Sequence, residues 1–303
     1  MTRYKLIVLL AISSCAIDVY AQDQDLLKLV DSSKPKKEFV RNAFKSSRVI
    51  NNHSMEFIGK GVMDVRFLHR FGLVNSGFEN FFGLDEATMR FGFDYGITKD
   101  LTVGFGRSTV GKEWDGFIKY RPLAQSKGPG SVPISVVLVS GVTISSLPWA
   151  DPDRKNYFSS RMCFYNEVII GRKFTEAFSL QVSPTLVHRN LVALESDKND
   201  VFALGLGGRL KLSKHVAFVV DYDYVVSGLT SGTYANPLSM GVDIETGGHV
   251  FQLHFSNSTG MNEKAFITGT TDKWKNGDIR FGFNLSRVFT IKKQKKSNGD
   301  PKW

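Results

Sequence analysis

Two cysteines among 303 residues allow at most one disulfide. Cys15 lies inside the first apolar run, so removal of that run leaves only Cys163 and no intramolecular bridge. A disulfide-stapled secreted scaffold is thereby excluded. Long apolar runs are missing too. Beyond the first residues no stretch approaches the roughly 18 consecutive apolar residues that a membrane-crossing helix needs. The six histidines, at 53, 69, 188, 215, 249 and 254, fall into none of the spacings that ligate a metal. Gly104-Phe105-Gly106 is followed by no helical pattern, so it is not a phosphate-cradling loop. No cofactor is expected.

What is present at the start has the form of an export signal. Arg3 and Lys5 precede the apolar run Leu6 to Ala16, and Val19-Tyr20-Ala21 supplies small residues at the cleavage positions. Residues 1–21 are read as a signal peptide cleaved after Ala21. A competing reading is that Ile12-Ser13-Ser14-Cys15 is a lipoprotein box with Cys15 lipidated. Residues 22–53 carry charges around Pro35 and no sustained alternation, and read as a periplasmic extension, partly ordered at best. Residues 291–303 form a basic tail with Lys292, Lys293, Lys295, Lys296 and Lys302. That tail and the leader account for much of the net charge of +10. A solvated tail is the default, and in an exported chain no nucleic-acid partner is expected.

Between them, residues 54–290 alternate apolar with polar or glycine over one short segment after another. Phe178, Leu180, Val182, Pro184 and Leu186 hold one parity; Ser179, Gln181, Ser183 and Thr185 hold the other. Side chains of a strand point alternately to its two faces, so each segment has one greasy and one polar face. Strands are predicted at about 54–71, 86–97, 101–109, 113–122, 133–144, 160–174, 177–188, 201–212, 215–225, 247–257, 264–270 and 278–290. The segment 264–270 enters because bacterial barrels have even strand numbers. Tight links largely alternate with long ones, as periplasmic turns and extracellular loops do. The exceptions are a short outer link near Gly111 and a long inner link at 123–132. Phenylalanine is abundant, at 24 residues, and concentrates on the apolar parity. Tyr95, Trp114, Tyr120, Tyr222 and Tyr224 fall near strand ends, where aromatic girdles meet lipid headgroups. The expected fold is all-β, a transmembrane up-and-down antiparallel β-barrel of about twelve strands in the outer membrane. A soluble sandwich or lipocalin-like barrel would show the same parity with the apolar face inward.

In a barrel in lipid the other parity lines the lumen. It carries Glu56, Lys60, Asp64, Arg66, Arg70, Arg90, Asp94, Asp115, Lys119, Arg121, Arg161, Glu167, Arg209, Lys211, Asp221, Asp223 and Arg280. Charges of both signs in a narrow interior must pair, because an unpaired buried charge is costly. They form either an ion-pair network that fills the barrel or the lining of a narrow pore with a slight anion preference. Twelve strands lie between the eight that fill with side chains and the sixteen that leave a channel.

His254-Phe255-Ser256-Asn257 resembles the core motif of outer-membrane phospholipase A, a twelve-stranded barrel. The resemblance implies Ser256 as nucleophile and His254 as its base. The motif departs from that family at Ser258, where glycine is usual. Both side chains take the lumenal parity, and the predicted topology puts their strand end near the periplasm. Leu68-His69-Arg70-Phe71-Gly72, Phe82-Gly83-Leu84-Asp85, Gly248-His249-Val250-Phe251-Gln252-Leu253 and Gly282-Phe283-Asn284-Leu285-Ser286-Arg287 resemble a family of exported β-barrel proteins of unknown function in Gram-negative bacteria. That resemblance implies an outer-membrane barrel and assigns no activity or catalytic residue. The expected partners are outer-membrane lipid, the barrel-assembly machinery, which reads a final aromatic such as Phe289, and a periplasmic or outer-membrane protein. The expected role is non-enzymatic: a narrow transport or permeation barrel, or the membrane component of a complex. Two alternatives stand beside it, a lipid hydrolase acting through His254 and Ser256, and a plugged barrel that scaffolds a partner.

Overall fold

The computed structural model describes residues 36–292, apart from 193, 194, 196, 231, 247 and 248. The leader, the first part of the extension and most of the basic tail fall outside the described residues. The strands are β1 (Glu38–Phe39), β2 (Val62–Leu73), β3 (Ala87–Gly96), β4 (Leu101–Ser108), β5 (Glu113–Leu123), β6 (Ser126–Lys127), β7 (Ser135–Ser145), β8 (Met162–Lys173), β9 (Phe178–Arg189), β10 (Asp200–Lys211), β11 (Val216–Ser227), β12 (Leu238–Thr246), β13 (His249–Ser256) and β14 (Arg280–Thr290). All but β1 and β6 form one closed barrel of antiparallel neighbours. It closes between β14 and β2, where Thr290 lies opposite Val62, so the chain enters and leaves the barrel at one end. β1 and β6 pair only with each other, Glu38 opposite Lys127. Closure leaves the barrel itself no sheet edge, which is what a spanning β-structure requires in lipid.

The two parities separate as the alternation predicts. On β9, Ser179, Gln181 and Ser183 are buried, while Phe178 is exposed. On β10, Phe202, Leu204 and Leu206 are exposed and Arg209 is buried. Outward phenylalanines pack across strands, as Phe67 does on Phe91 (4.6 Å between ring centres) and Phe105 on Trp114 (5.4 Å). A transmembrane barrel exposes apolar side chains and buries polar ones, the reverse of a soluble barrel.

The strand count of twelve holds, but with a different membership. The segment expected as a strand at 264–270 is a short helix, α1 (Glu263–Gly269). Phe266 and Ile267 are adjacent and both buried, which a strand would not allow because neighbours point to opposite faces. Asn262 starts the helix by accepting a hydrogen bond from the Ala265 N–H at 2.8 Å. The missing strand is β12, which lies in the stretch expected as the loop 226–246. This exchange reverses the direction assigned to β13. Ser256 sits at the long-loop end of the barrel, not at the end where the chain enters and leaves. The first strand also starts later than expected. It begins at Val62, and residues 40–61 lead into it without barrel pairing.

Both exceptions in link length are real. The connection at 109–112 is tight, with Gly111 and Lys112 at φ of 61° and 45°. The long connection between β5 and β7 contains β6. α1 lies within the connection 257–279 between β13 and β14.

Candidate functional site

The lumen is filled by the chain itself. Residues 43–55 fold into a compact turn in which Ser54 N–H donates to Ser47 O and Val49 N–H to Asn52 O, each at 2.9 Å. Ala43, Phe44, Val49, Ile50 and Met55 are all buried. Phe44, Val49 and Met55 join a cluster with the inward-facing Phe117, Val137, Tyr165 and Ile169 and with Phe266 and Ile267 of α1. Wall glycines make room for this segment. A Cβ on Gly171 would sit 2.3 Å from Met55 Sδ, and one on Gly207 would sit 2.9 Å from Val49 Cγ2.

Polar wall residues hold the plug from several sides. Asp221 Oδ2 accepts from three successive backbone N–H groups, those of Ile50 (3.1 Å), Asn51 (2.7 Å) and Asn52 (3.0 Å). Consecutive amides curled around one anion form a nest, and each charge-assisted bond is worth roughly 1.5–3 kcal/mol. Asn52 Nδ2 adds bonds to Asp221 and Asp223. Lys119 Nζ donates to the carbonyls of Ser47 (3.1 Å) and Glu56 (2.8 Å). Arg70 donates to Asn51 Oδ1 at 2.7 Å, and Arg66 to Ser46 Oγ at 2.7 Å. Gln181 accepts from Met55 N–H and donates to His53 O, while Gln252 donates to Val49 O. The loop carrying α1 clasps the plug from its other side. Arg48 pairs with Glu263 at 2.7 Å, and His53 Nε2 lies 3.2 Å from the same carboxylate. His53 lies outside the spanning strands. Burial, then the nearby Arg48 and Lys119 charges, hold its imidazole well below the ordinary value.

The expected lumenal charges divide into two groups. Glu56, Asp64, Arg66, Arg70, Arg90, Asp94, Asp115, Lys119, Glu167, Arg209, Asp221 and Asp223 lie in the interior. Glu56 does so from the plug rather than from the first strand, accepting from the Ala43 and Phe44 N–H groups. Arg90 is paired with Asp115, and Arg66 with Asp64. Neither carboxylate oxygen of Glu167 has a hydrogen-bond partner among the described residues. The other five are not part of this interior set. Lys60 sits in the turn before β2 and Lys211 is exposed at the end of β10. Arg121 pairs with Asp100 by a tight turn, Arg280 with Asp272, and Arg161 stacks over Trp149 in a long loop. The residues not anticipated are Arg48, Asn51, Asn52 and His53 of the plug, Glu263, and the amides of Gln181, Gln252 and Asn284, the last donating to Ile50 O at 3.1 Å. Gln181 and Gln252 lie on the lumenal parity and were legible there; the plug residues carry no alternation to mark them.

His254 and Ser256 point into the lumen and are buried. Neither ring nitrogen of His254 has a hydrogen-bond partner among the described residues. Ser256 Oγ accepts from Ser239 Oγ at 2.7 Å and from Ser258 N–H at 3.0 Å. The pair therefore forms no nucleophile–base contact and meets no lipid.

The family model described as "Membrane bound beta barrel domain (DUF5777)" matches residues 44–289. The chain belongs to this family. The match begins at Phe44, so it takes in the plug as well as the barrel. No curated protein matches the chain. Among solved structures, the barrel is similar to the NanC porin at 9% identity and a TM-score of 0.46, over 75% of this chain and 98% of that one. It is similar to the KdgM porin at 8% identity and a TM-score of 0.43, over 75% and 98%. A third is the COG4313 outer membrane channel from Pseudomonas putida F1, at 12% identity and a TM-score of 0.45, over 78% and 98%.

Proposed function

We propose that the chain is exported and sits in the outer membrane as a non-enzymatic permeation barrel, held shut by its own N-terminal segment. The tight-turn end faces the periplasm and the long loops face outward. The observation that carries this reading is the seat at Asp221, where one wall carboxylate takes three backbone N–H groups of the plug. A carboxylate that already accepts from the plug is not free to attract a passing ion. It also binds backbone, so the interaction depends on the plug's fold rather than on one side chain. A path through the barrel opens when residues 40–59 leave it.

Planar-bilayer recording tests this. The wild-type chain is expected to insert without steady conductance, whereas a chain lacking residues 40–59, or carrying Asp221→Ala, shows discrete conductance steps. Open steps of the same size from wild-type protein contradict the proposal. A second reading, the plugged scaffold, is favoured by the second filling: Met261, Phe266 and Ile267 of the inward loop are fully buried. Silence from a correctly folded deletion variant selects that reading.

A further inference from the structure

A cavity of about 320 Å³ lies at the long-loop end, between the link before β5, the end of β9 and the inward loop that carries α1. That volume is at the small end of ligand sites and suits a compact organic solute. Its wall is mixed. Val110, Leu191 and Ala265 supply apolar surface, and Glu113, Lys264 and Arg189 supply charge.

The charges are not equally engaged. Glu113 is taken up by Lys264 in an ion pair and by Asn262 Nδ2 at 2.9 Å. Among the described residues Arg189 has no ion-pair partner. Its side chain is held by Nη2 donating to Lys198 O at 2.7 Å, and its Nε has no partner among the described residues. The residue is only 7% exposed. A guanidinium so buried, with a donor unspent and no ion pair among the described residues, lacks the partner that burial of a charge demands. The planar fork of Arg fits a carboxylate with two parallel hydrogen bonds.

We propose that this cavity binds a small organic monoanion. Its carboxylate lies against Arg189, and its aliphatic or aromatic body lies against Val110, Leu191 and Ala265. The site is independent of whether the barrel conducts.

Fluorine NMR titration of the full-length protein in detergent micelles tests it, with 4-fluorobenzoate as probe and 4-fluorobenzamide as its uncharged analogue. Two variants are compared. Arg189→Gln removes the charge. Gly269→Leu fills the cavity, at a position where an added Cβ meets no atom within 4 Å. Circular dichroism confirms that each variant keeps its strand content. The expected result is saturable binding of the benzoate, at least tenfold weaker binding of the benzamide, and at least tenfold weaker benzoate binding in both variants. Absence of saturable binding to wild-type protein overturns the proposal. So does binding of the two probes within threefold of each other, or benzoate affinity retained in either folded variant.

Discussion

His53 shows how a single residue ties the plug to pH. Arg48, Lys119, Glu263, Tyr165 and Phe117 surround its ring, and burial disfavours the charged imidazolium most. When the plug is released the ring regains an ordinary value of 6.5. Above that pH both states hold a neutral ring, and seating is strongest. As the pH falls through 6.5 the released state takes up a proton that the seated state refuses, so seating weakens by up to about 1.4 kcal/mol per pH unit. Hydrogen-exchange protection of the amides at Ile50, Asn51 and Asn52, corrected for intrinsic rate, is expected to fall by up to roughly tenfold per unit below pH 6.5. His53→Gln should flatten that dependence. A dependence equally steep in the variant assigns it to the lumenal carboxylates instead.

At the scale of elements, most of the barrel was legible because a strand with lipid on one side and a polar lumen on the other must alternate. β12 obeys the same rule: Leu238, Met240, Val242 and Ile244 alternate with Ser239, Gly241, Asp243 and Glu245. The stretch was hidden only by its neighbours. The link after it is two residues long, and the loop before it is rich in Gly, Ser and Thr, so the segment read as part of a loop. α1 departs from expectation for the opposite reason. An even strand number requires one more strand than the clear alternation supplies, and the apolar stretch 264–270 has the length for it, but its adjacent Phe266 and Ile267 break the alternation. The corrected membership predicts that Val242→Arg, placed toward lipid, destabilises the barrel by ~2–4 kcal/mol in urea unfolding. A loop residue would cost within about 0.5 kcal/mol.

For the molecule as a whole, the charged lumen and its occupant form one structure. The lumenal parity was visible as alternating Arg, Lys, Asp and Glu. What those charges hold was not visible, because the plug folds against the wall and carries no periodicity of its own. Two of the buried wall charges expected to pair across the lumen, Asp221 and Lys119, bond backbone groups of residues 47–56 instead, and the unanticipated Gln252 amide does the same. The most direct test fixes one such contact covalently. Asn51 Nδ2 lies 3.2 Å from Ser239 Oγ on the far side of the barrel sequence. In a Cys163→Ser background, Asn51→Cys with Ser239→Cys should form a disulfide on mild oxidation in native membranes, identified by mass spectrometry. Asn51→Cys with Ser140→Cys, whose second site faces lipid, should form none. Free thiols at both 51 and 239, with Cys at 51 modified by an impermeant maleimide as fast as in unfolded protein, would contradict a plug in the lumen.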